Sequence, residues 1–237
     1  MMYISRIAIN EDRLGAKKLL ASPYCMHSAV EHSFPPNAEK DESEGRILWR
    51  VDTLRDSHQI WLYVVSPEKP DFSHIVEQAG WPLHPEWETR DYQPLLSRIA
   101  VGQRWAFRLR ANPVRKARKD FGRMKNEAVI GKIMGEVTAE QQLNWLLKRS
   151  QQHGFSIEGS GEEIQCQVSN RRKERFRHGG SSVTLCTAQF DGILTITDAE
   201  LFKETLTQGI GRAKGFGCGL LTVAPVHTDS AQAVTND

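Results

Sequence analysis

The sequence predicts an α+β fold made of two successive β-α-β-β-α-β units, each a four-stranded antiparallel sheet with helices on one face. Three observations lead there. Short β-branched stretches alternate apolar and polar residues, helix starts are marked by capping residues, and the same element order occurs in both halves. A length of 237 residues accommodates two domains of ordinary size.

Tyr3–Ile9 alternates and reads as the first strand. A helix follows over about 11–20, and Ser22-Pro23 supplies an N-cap and first-turn proline for a second helix, Tyr24 to about Phe34, that must stop before Pro35-Pro36. After a polar loop, Asn37–Glu44, two strands at Arg46–Leu54 and Gln59–Val65 are joined by a short turn, 55–58. Asp71 caps a short helix, Phe72–Ala79, ended by Gly80, and a strand lies near Glu88–Gln93.

In the second half Gln103–Ala111 is a strand, and Thr138-Ala-Glu-Gln141 is a capping box for a helix reaching Gly154. Strands near Glu163–Ser169 and Val183–Ile196 flank a basic loop. Thr197-Asp-Ala-Glu200 is a second capping box for a helix ending at Gly209, and Gly217–Val223 is the last strand. Each half thus has a ferredoxin-like (RRM-like) order. The expected boundaries are 1–94, 95–227 and a flexible tail, 228–237.

The net charge of +2 conceals an asymmetry. Residues 104–132 carry a net +8 and residues 171–177 a net +4, which leaves −10 for the rest. Two concentrated cationic segments in a chain otherwise acidic point to a polyanionic partner. Arg104, Arg108 and Arg110 alternate on a strand and share a face, while Arg115, Lys116, Arg118, Lys119, Arg123 and Lys125 follow on a loop or short helix. Arg171, Arg172, Lys173 and Arg175 form a flexible arm, in which Phe176 offers a ring for stacking. No helix-turn-helix or zinc-finger pattern suggests a DNA-binding regulator.

Cys25, Cys166, Cys186 and Cys218 form no CxxC or Cys/His ligand pattern, so no metal or other cofactor is expected and the thiols read as free ones in a reducing cytoplasm. No apolar run nears the ~20 residues of a membrane span, and no leader pattern opens the chain.

Two further motifs bear on chemistry. Gly209-Ile-Gly-Arg-Ala-Lys-Gly-Phe-Gly-Cys-Gly219 has five glycines in eleven residues but fits neither the P-loop nor the dinucleotide spacing. Gly209, Gly211, Arg212 and Lys214 within it suit close approach to a phosphate backbone. Tyr24-Cys-Met-His27 puts a phenol and an imidazole three residues apart, on one helical face. Spacing alone leaves His27 open as a packed or surface residue. His32 lies well round the helix from it and reads as structural.

The chain resembles the RAMP superfamily of CRISPR-associated RNA-binding proteins, and within it is similar to CasE-type endoribonucleases. The likeness is carried by Tyr24-Cys-Met-His27, His32-Ser-Phe-Pro35, Arg108-Leu-Arg-Ala-Asn-Pro113, Phe190-Asp-Gly-Ile-Leu-Thr-Ile196 and Gln208–Leu221. It implies a metal-independent endoribonuclease with His27 and Tyr24 as catalytic residues, leaving a 2′,3′-cyclic phosphate and a 5′-hydroxyl. The implied substrate is the CRISPR repeat RNA hairpin, cut at the 3′ side of its stem. The implied partners are the product guide RNA and other Cascade subunits, for a protein that is monomeric when isolated. A third, charge-stabilising group is required as well, for which Lys17, Lys18 and Lys214 are candidates. A non-catalytic RNA-binding subunit of the same fold is the competing reading, and it has no need of the Tyr24/His27 pair.

Overall fold

The computed structural model describes residues 1–35, 45–54, 59–117, 131–159 and 163–226. The expected loop 37–44, the turn 55–58 and the tail 228–237 lie outside them, as do Arg118, Lys119, Arg123 and Lys125.

The first unit runs β1 (Tyr3–Ile9), α1 (Leu14–Ala21), α2 (Pro23–Glu31), β2 (Leu48–Leu54), β3 (Gln59–Ser66), α3 (Ser73–Ala79) and β4 (Trp87–Asp91). Its sheet has the order β2-β3-β1-β4 with every pairing antiparallel, which is the ferredoxin-like arrangement. Alternation sends Ile7, Ile9, Leu62 and Val64 to the helical side, where Met26, Val30, Ile75 and Val76 complete a dry core. The Ser22 side chain accepts the Cys25 N–H and Pro23 occupies the first turn, so α2 starts where its cap dictates. Asp71 accepts the Ser73 N–H at 2.9 Å, ahead of α3. The strand expected near Glu88–Gln93 stops at Asp91, and α4 (Gln93–Leu96) follows with a proline in its first turn.

The second unit contains β5 (Arg104–Ala111), β6 (Val114–Lys116), β7 (Ile133–Gly135), α5 (Ala139–Ser150), β8 (Phe155–Ile157), β9 (Cys166–His178), β10 (Ser181–Ile196), α6 (Ala199–Gln208) and β11 (Leu221–Pro225). The sheet order is β11-β5-β10-β8, with β9 also on β10, so β8 and β9 together fill the place of a single second strand. Thr138 and Gln141 form the expected capping box of α5. The cap of α6 is Asp198 rather than Thr197: its carboxylate accepts the N–H groups of Glu200 and Leu201, both at 3.0 Å. An anionic side chain serves the positive helix start better than a hydroxyl.

Two expectations about the basic segments are corrected. Arg171–Arg177 is not a flexible arm: all of it lies in β9, paired to β10 over Ser181–Gly192 with a register shift between Thr187 and Gln189. The backbone ladder of a long hairpin outweighs the low apolar content of the strand. Arg115 and Lys116 lie on neither loop nor helix but on β6, which pairs with β7.

The two units are joined by one apolar core, in which Leu48, Val65, Tyr92 and Leu96 meet Phe107, Phe190, Leu206 and Leu221. Beside it lies Arg50, on β2 and 2% exposed. Its five N–H donors go to both oxygens of Asp52, to the carbonyls of Arg108 and Leu220, and to the Thr222 hydroxyl, at 2.6–2.9 Å. A buried guanidinium is tolerable only when satisfied in this way, and its partners on β5 and β11 fix the orientation of one unit on the other.

Candidate functional site

The site forms where α2 of the first unit meets two elements of the second, β9 and the glycine-rich turn. A short 3-10 turn, Lys214–Phe216, sits between Ala213 and Gly217, both in the left-handed region with φ 65° and 73°. At Gly217 a side chain would collide with the Trp49 ring, so the turn can close on β2 only with glycine there. Closure carries Gly215 and Phe216 onto His27. A Cβ at Gly215 would stand 3.5 Å from the His27 ring, and the Phe216 ring lies edge-to-face on it at 5.9 Å.

His27 is about one-third exposed, with its Nδ1 4.0 Å from a Glu31 carboxylate oxygen one helical turn on. Tyr24, three residues earlier, is 42% exposed. Both rings thus stand on α2 at the junction of the units and reach solvent. The end of α2 is pinned: His74 donates to the Ala29 carbonyl at 2.9 Å, and the His32 ring nitrogen donates to the Ser28 carbonyl at 2.6 Å. His32 is therefore structural, as its helical position predicts.

The cations divide by surroundings. Arg104 is bidentate on Glu158 at 2.5 and 2.6 Å. Arg108 donates to Asp191 at 2.5 Å and lies 3.6 Å from Asp52. Arg110 donates to Glu174 at 2.6 Å and to the carbonyls of Gly217 and Phe216 at 3.1 and 3.4 Å, so it ties β5, β9 and the glycine turn together. Burial pulls the Arg110 guanidinium down, but the Cys218 sulfur and the Glu174 carboxylate hold it above its ordinary value, and it stays charged. The same burial pushes the Cys218 thiol up to about 11.

The register shift in β9, which falls at Asn170 and Arg171, sets Arg171 apart from the rest of the second basic run. Arg171 turns to α5, where it donates to Gln142 and to the Val137 carbonyl. Arg172, Lys173 and Arg175 are exposed and have no ion pair among the described residues. Arg115 pairs with Glu136 at 3.3 Å, and Lys116 is exposed. Arg212 is exposed on the glycine-rich segment. The glycines of that segment are taken up by packing: Gly209 lies against Leu48 and Gly211 against Trp145. Its backbone N–H groups are partly engaged too, that of Ile210 with the Gly219 carbonyl and that of Gly219 with Arg110. Lys214 folds its stem over Gly219 and borders the groove between α4 and α6, while Lys17 and Lys18 are exposed on α1.

Sequence reasoning passed over the contact of Gly215 and Phe216 with His27, which joins residues far apart in the chain. It also passed over Glu31, although its i,i+4 spacing from His27 was a readable signal. Among the described residues no three His, Cys, Asp or Glu side chains gather as a metal site requires. No helix among them is long and apolar enough to cross a membrane.

Fold and site together define a tandem ferredoxin-like protein whose titratable helix, glycine-rich turn and basic strand share the junction of its two units. The chain belongs to the CRISPR associated protein family, which it matches over residues 2–225. It is 29% identical over 230 residues to CRISPR-associated endoribonuclease Cse3 of Thermus thermophilus, covering 94% of this chain and 100% of that protein. It is 27% identical over 229 residues to CRISPR system Cascade subunit CasE of Escherichia coli (strain K12), covering 95% and 100%. The structure of Thermus thermophilus Cse3 bound to an RNA representing a pre-cleavage complex superposes with a TM-score of 0.73 at 26% identity, over 94% of this chain and 99% of that one.

Proposed function

We propose that this chain is the endoribonuclease that processes CRISPR precursor RNA as a Cascade subunit. It cuts at the 3′ side of the repeat hairpin stem and retains the product guide RNA. The observation that carries this reading is His27, solvent-accessible and held by the Gly215–Phe216 turn beside the exposed cations of β9. Kinship with an endoribonuclease and a Cascade subunit over nearly the whole chain supports it. The protein works in the cytoplasm, where its cysteines, free in the structure, stay reduced.

RNA supplies its own nucleophile. The 2′-hydroxyl loses its proton to a base and bonds to the adjacent phosphorus. The P–O5′ bond breaks, and the departing oxygen takes a proton, leaving a 2′,3′-cyclic phosphate and a 5′-hydroxyl. An imidazole titrates near neutral pH and serves as base or acid in such a transfer. Tyr24, one turn away, hydrogen-bonds the scissile phosphate or the hydroxyl and holds the in-line geometry. Arg172, Lys173, Arg175, Lys116 and Arg212 grip the RNA backbone. Arg104, Arg108 and Arg110, already bonded to carboxylates, brace the surface on which it lies.

The test is cleavage of the cognate repeat RNA in excess chelator by the wild-type protein and by His27→Ala. The wild type cuts and the variant binds without cutting. Equal cutting by both removes His27 from the mechanism, and no cutting by either leaves an RNA-binding subunit.

A further inference from the structure

Next to His27, but outside the chemistry above, a cleft of about 440 Å³ opens between the α1–α2 layer and β9. A volume of this size suits a small ligand or one nucleotide. Its walls are mixed, with Leu19, Leu20 and Met26 on the helices and Val51 and Ile60 on the sheet facing Arg110, Glu174 and Gln189. Arg172 and Arg175 stand at its mouth, exposed and without an ion pair among the described residues.

Two polar atoms on residues that line it are unsatisfied. Trp49 is 3% exposed and its indole N–H has no hydrogen-bond partner, and Glu174 Oε2 is buried and likewise without one. Both atoms are shielded from solvent on residues of the cleft wall, and a donor and an acceptor buried without partners beside one cleft call for an explanation, because such groups are normally paired. A ligand seated deeply enough to uncover them gains one hydrogen bond in each direction, beneath two cations. An unpaired nucleobase matches all of this: a flat ring to bury, an edge carrying both donor and acceptor, and an attached phosphate.

Phe176 connects the cleft to the site. It lines the cleft and meets Phe216 at 4.9 Å, and Phe216 meets His27 at 5.9 Å, so two successive ring contacts join the cleft to the imidazole.

We infer that this cleft receives the unpaired base of the nucleotide immediately 3′ of the scissile phosphate. The inference rests on the endoribonuclease reading above. With the cut at the 3′ side of the stem, the nucleotide before it is held by base pairing, and the one after it is free to turn out. Seating its base would hold the leaving 5′-oxygen in line and make the first downstream residue part of substrate selection.

The experiment is single-turnover cleavage of the repeat hairpin carrying either a normal or an abasic nucleotide at that position. It is run with wild type, with Trp49→Phe, which removes the donor, and with Thr53→Met, which places a longer side chain at the exposed edge of the cleft. The abasic change lowers the wild-type rate at least about tenfold, in line with the weight of stacking and edge contacts. It lowers the rate of Thr53→Met less than about twofold, and Trp49→Phe falls between. Equal wild-type rates with and without the base overturn the subsite and leave the endoribonuclease reading intact. An undiminished abasic effect in Thr53→Met overturns it as well, since the base is then read elsewhere. Cleavage of neither RNA by the wild type overturns the endoribonuclease reading and the subsite with it.

Discussion

His27 and Phe216 meet edge-to-face, with ring centroids 5.9 Å apart and planes at 69°. One ring belongs to α2 of the first unit and the other to the glycine-rich turn of the second. The placing of the imidazole therefore depends on how closely that turn can approach, and Gly215 sets the limit. A Cβ there lies 3.5 Å from the His27 ring, an ordinary contact. Gly215→Ala is expected to keep cleavage within about threefold of wild type. Gly215→Leu drives the ring aside and lowers the single-turnover rate about a hundredfold, as a displacement near 1 Å does, with hairpin affinity unchanged. Parallel binding and cleavage assays check it, and an active leucine variant would mean that the ring contact does not position His27.

Arg110 holds the same turn from below. Arg110→Met leaves the Glu174 carboxylate with only the Thr187 hydroxyl, 3.3 Å away, and frees the carbonyls of Phe216 and Gly217. Each partner of the pair is still about a fifth exposed, so the expected loss is about 3 kcal/mol, the low end for breaking a buried pair. Adding Glu174→Gln should recover part of the stability without restoring cleavage, because the clamp on the turn stays absent. Urea unfolding of the single and double variants checks the first part, and a cleavage assay the second.

Most of the fold was legible because local signals agreed with it. The alternation of β1, β2, β3 and β5, the Ser22-Pro23 start and the Thr138 capping box each named an element that the structure contains. The basic strand was not legible. Arg171–Arg177 has the composition of an exposed arm, and only pairing with β10, a non-local event, makes it a strand. The site divides likewise. Spacing put Tyr24 and His27 on one helical face and the family resemblance singled them out, but the contact of His27 with Gly215 joins parts of the chain nearly 190 residues apart, and no local pattern reports it. Arg50 carried no signal at all. A lone arginine in a strand gives no hint that it will be buried with five bonds, three of them across a domain junction.

Charge counting alone groups Arg104 with Arg172, but the structure separates them. Arg104 is bonded twice to Glu158, whereas Arg172 is exposed without an ion pair among the described residues. A cation that neutralises a phosphate releases counterions and contributes roughly one unit to the slope of log K against log salt. Arg172→Ala is expected to flatten that slope by up to about one unit. Arg104→Ala leaves the slope unchanged and acts, if at all, on stability. Affinities of the repeat hairpin at four or five salt concentrations distinguish the two, and equal slopes for both variants would mean that the ion pair with Glu158 opens to RNA.

His153 gives the structure a pH dependence whose sign follows from its surroundings. Burial first, then Arg149 and Lys214, hold its pKa below the ordinary value, against a smaller opposing pull from Glu204. Its Nδ1 lies 2.9 Å from the Thr205 hydroxyl, tying the turn that follows α5 to α6. Because the folded pKa is lowered, the unfolded chain binds the proton more readily. Stability is then fully present above the ordinary histidine pKa of about 6.5, and falls as pH drops from there through the folded value. His153→Gln keeps a polar group near Thr205 but cannot take up that proton. Its urea midpoint should therefore fall less between pH 7.5 and pH 5.5 than that of the wild type. A wild-type midpoint falling no more steeply than the variant's would place the acid sensitivity on another group.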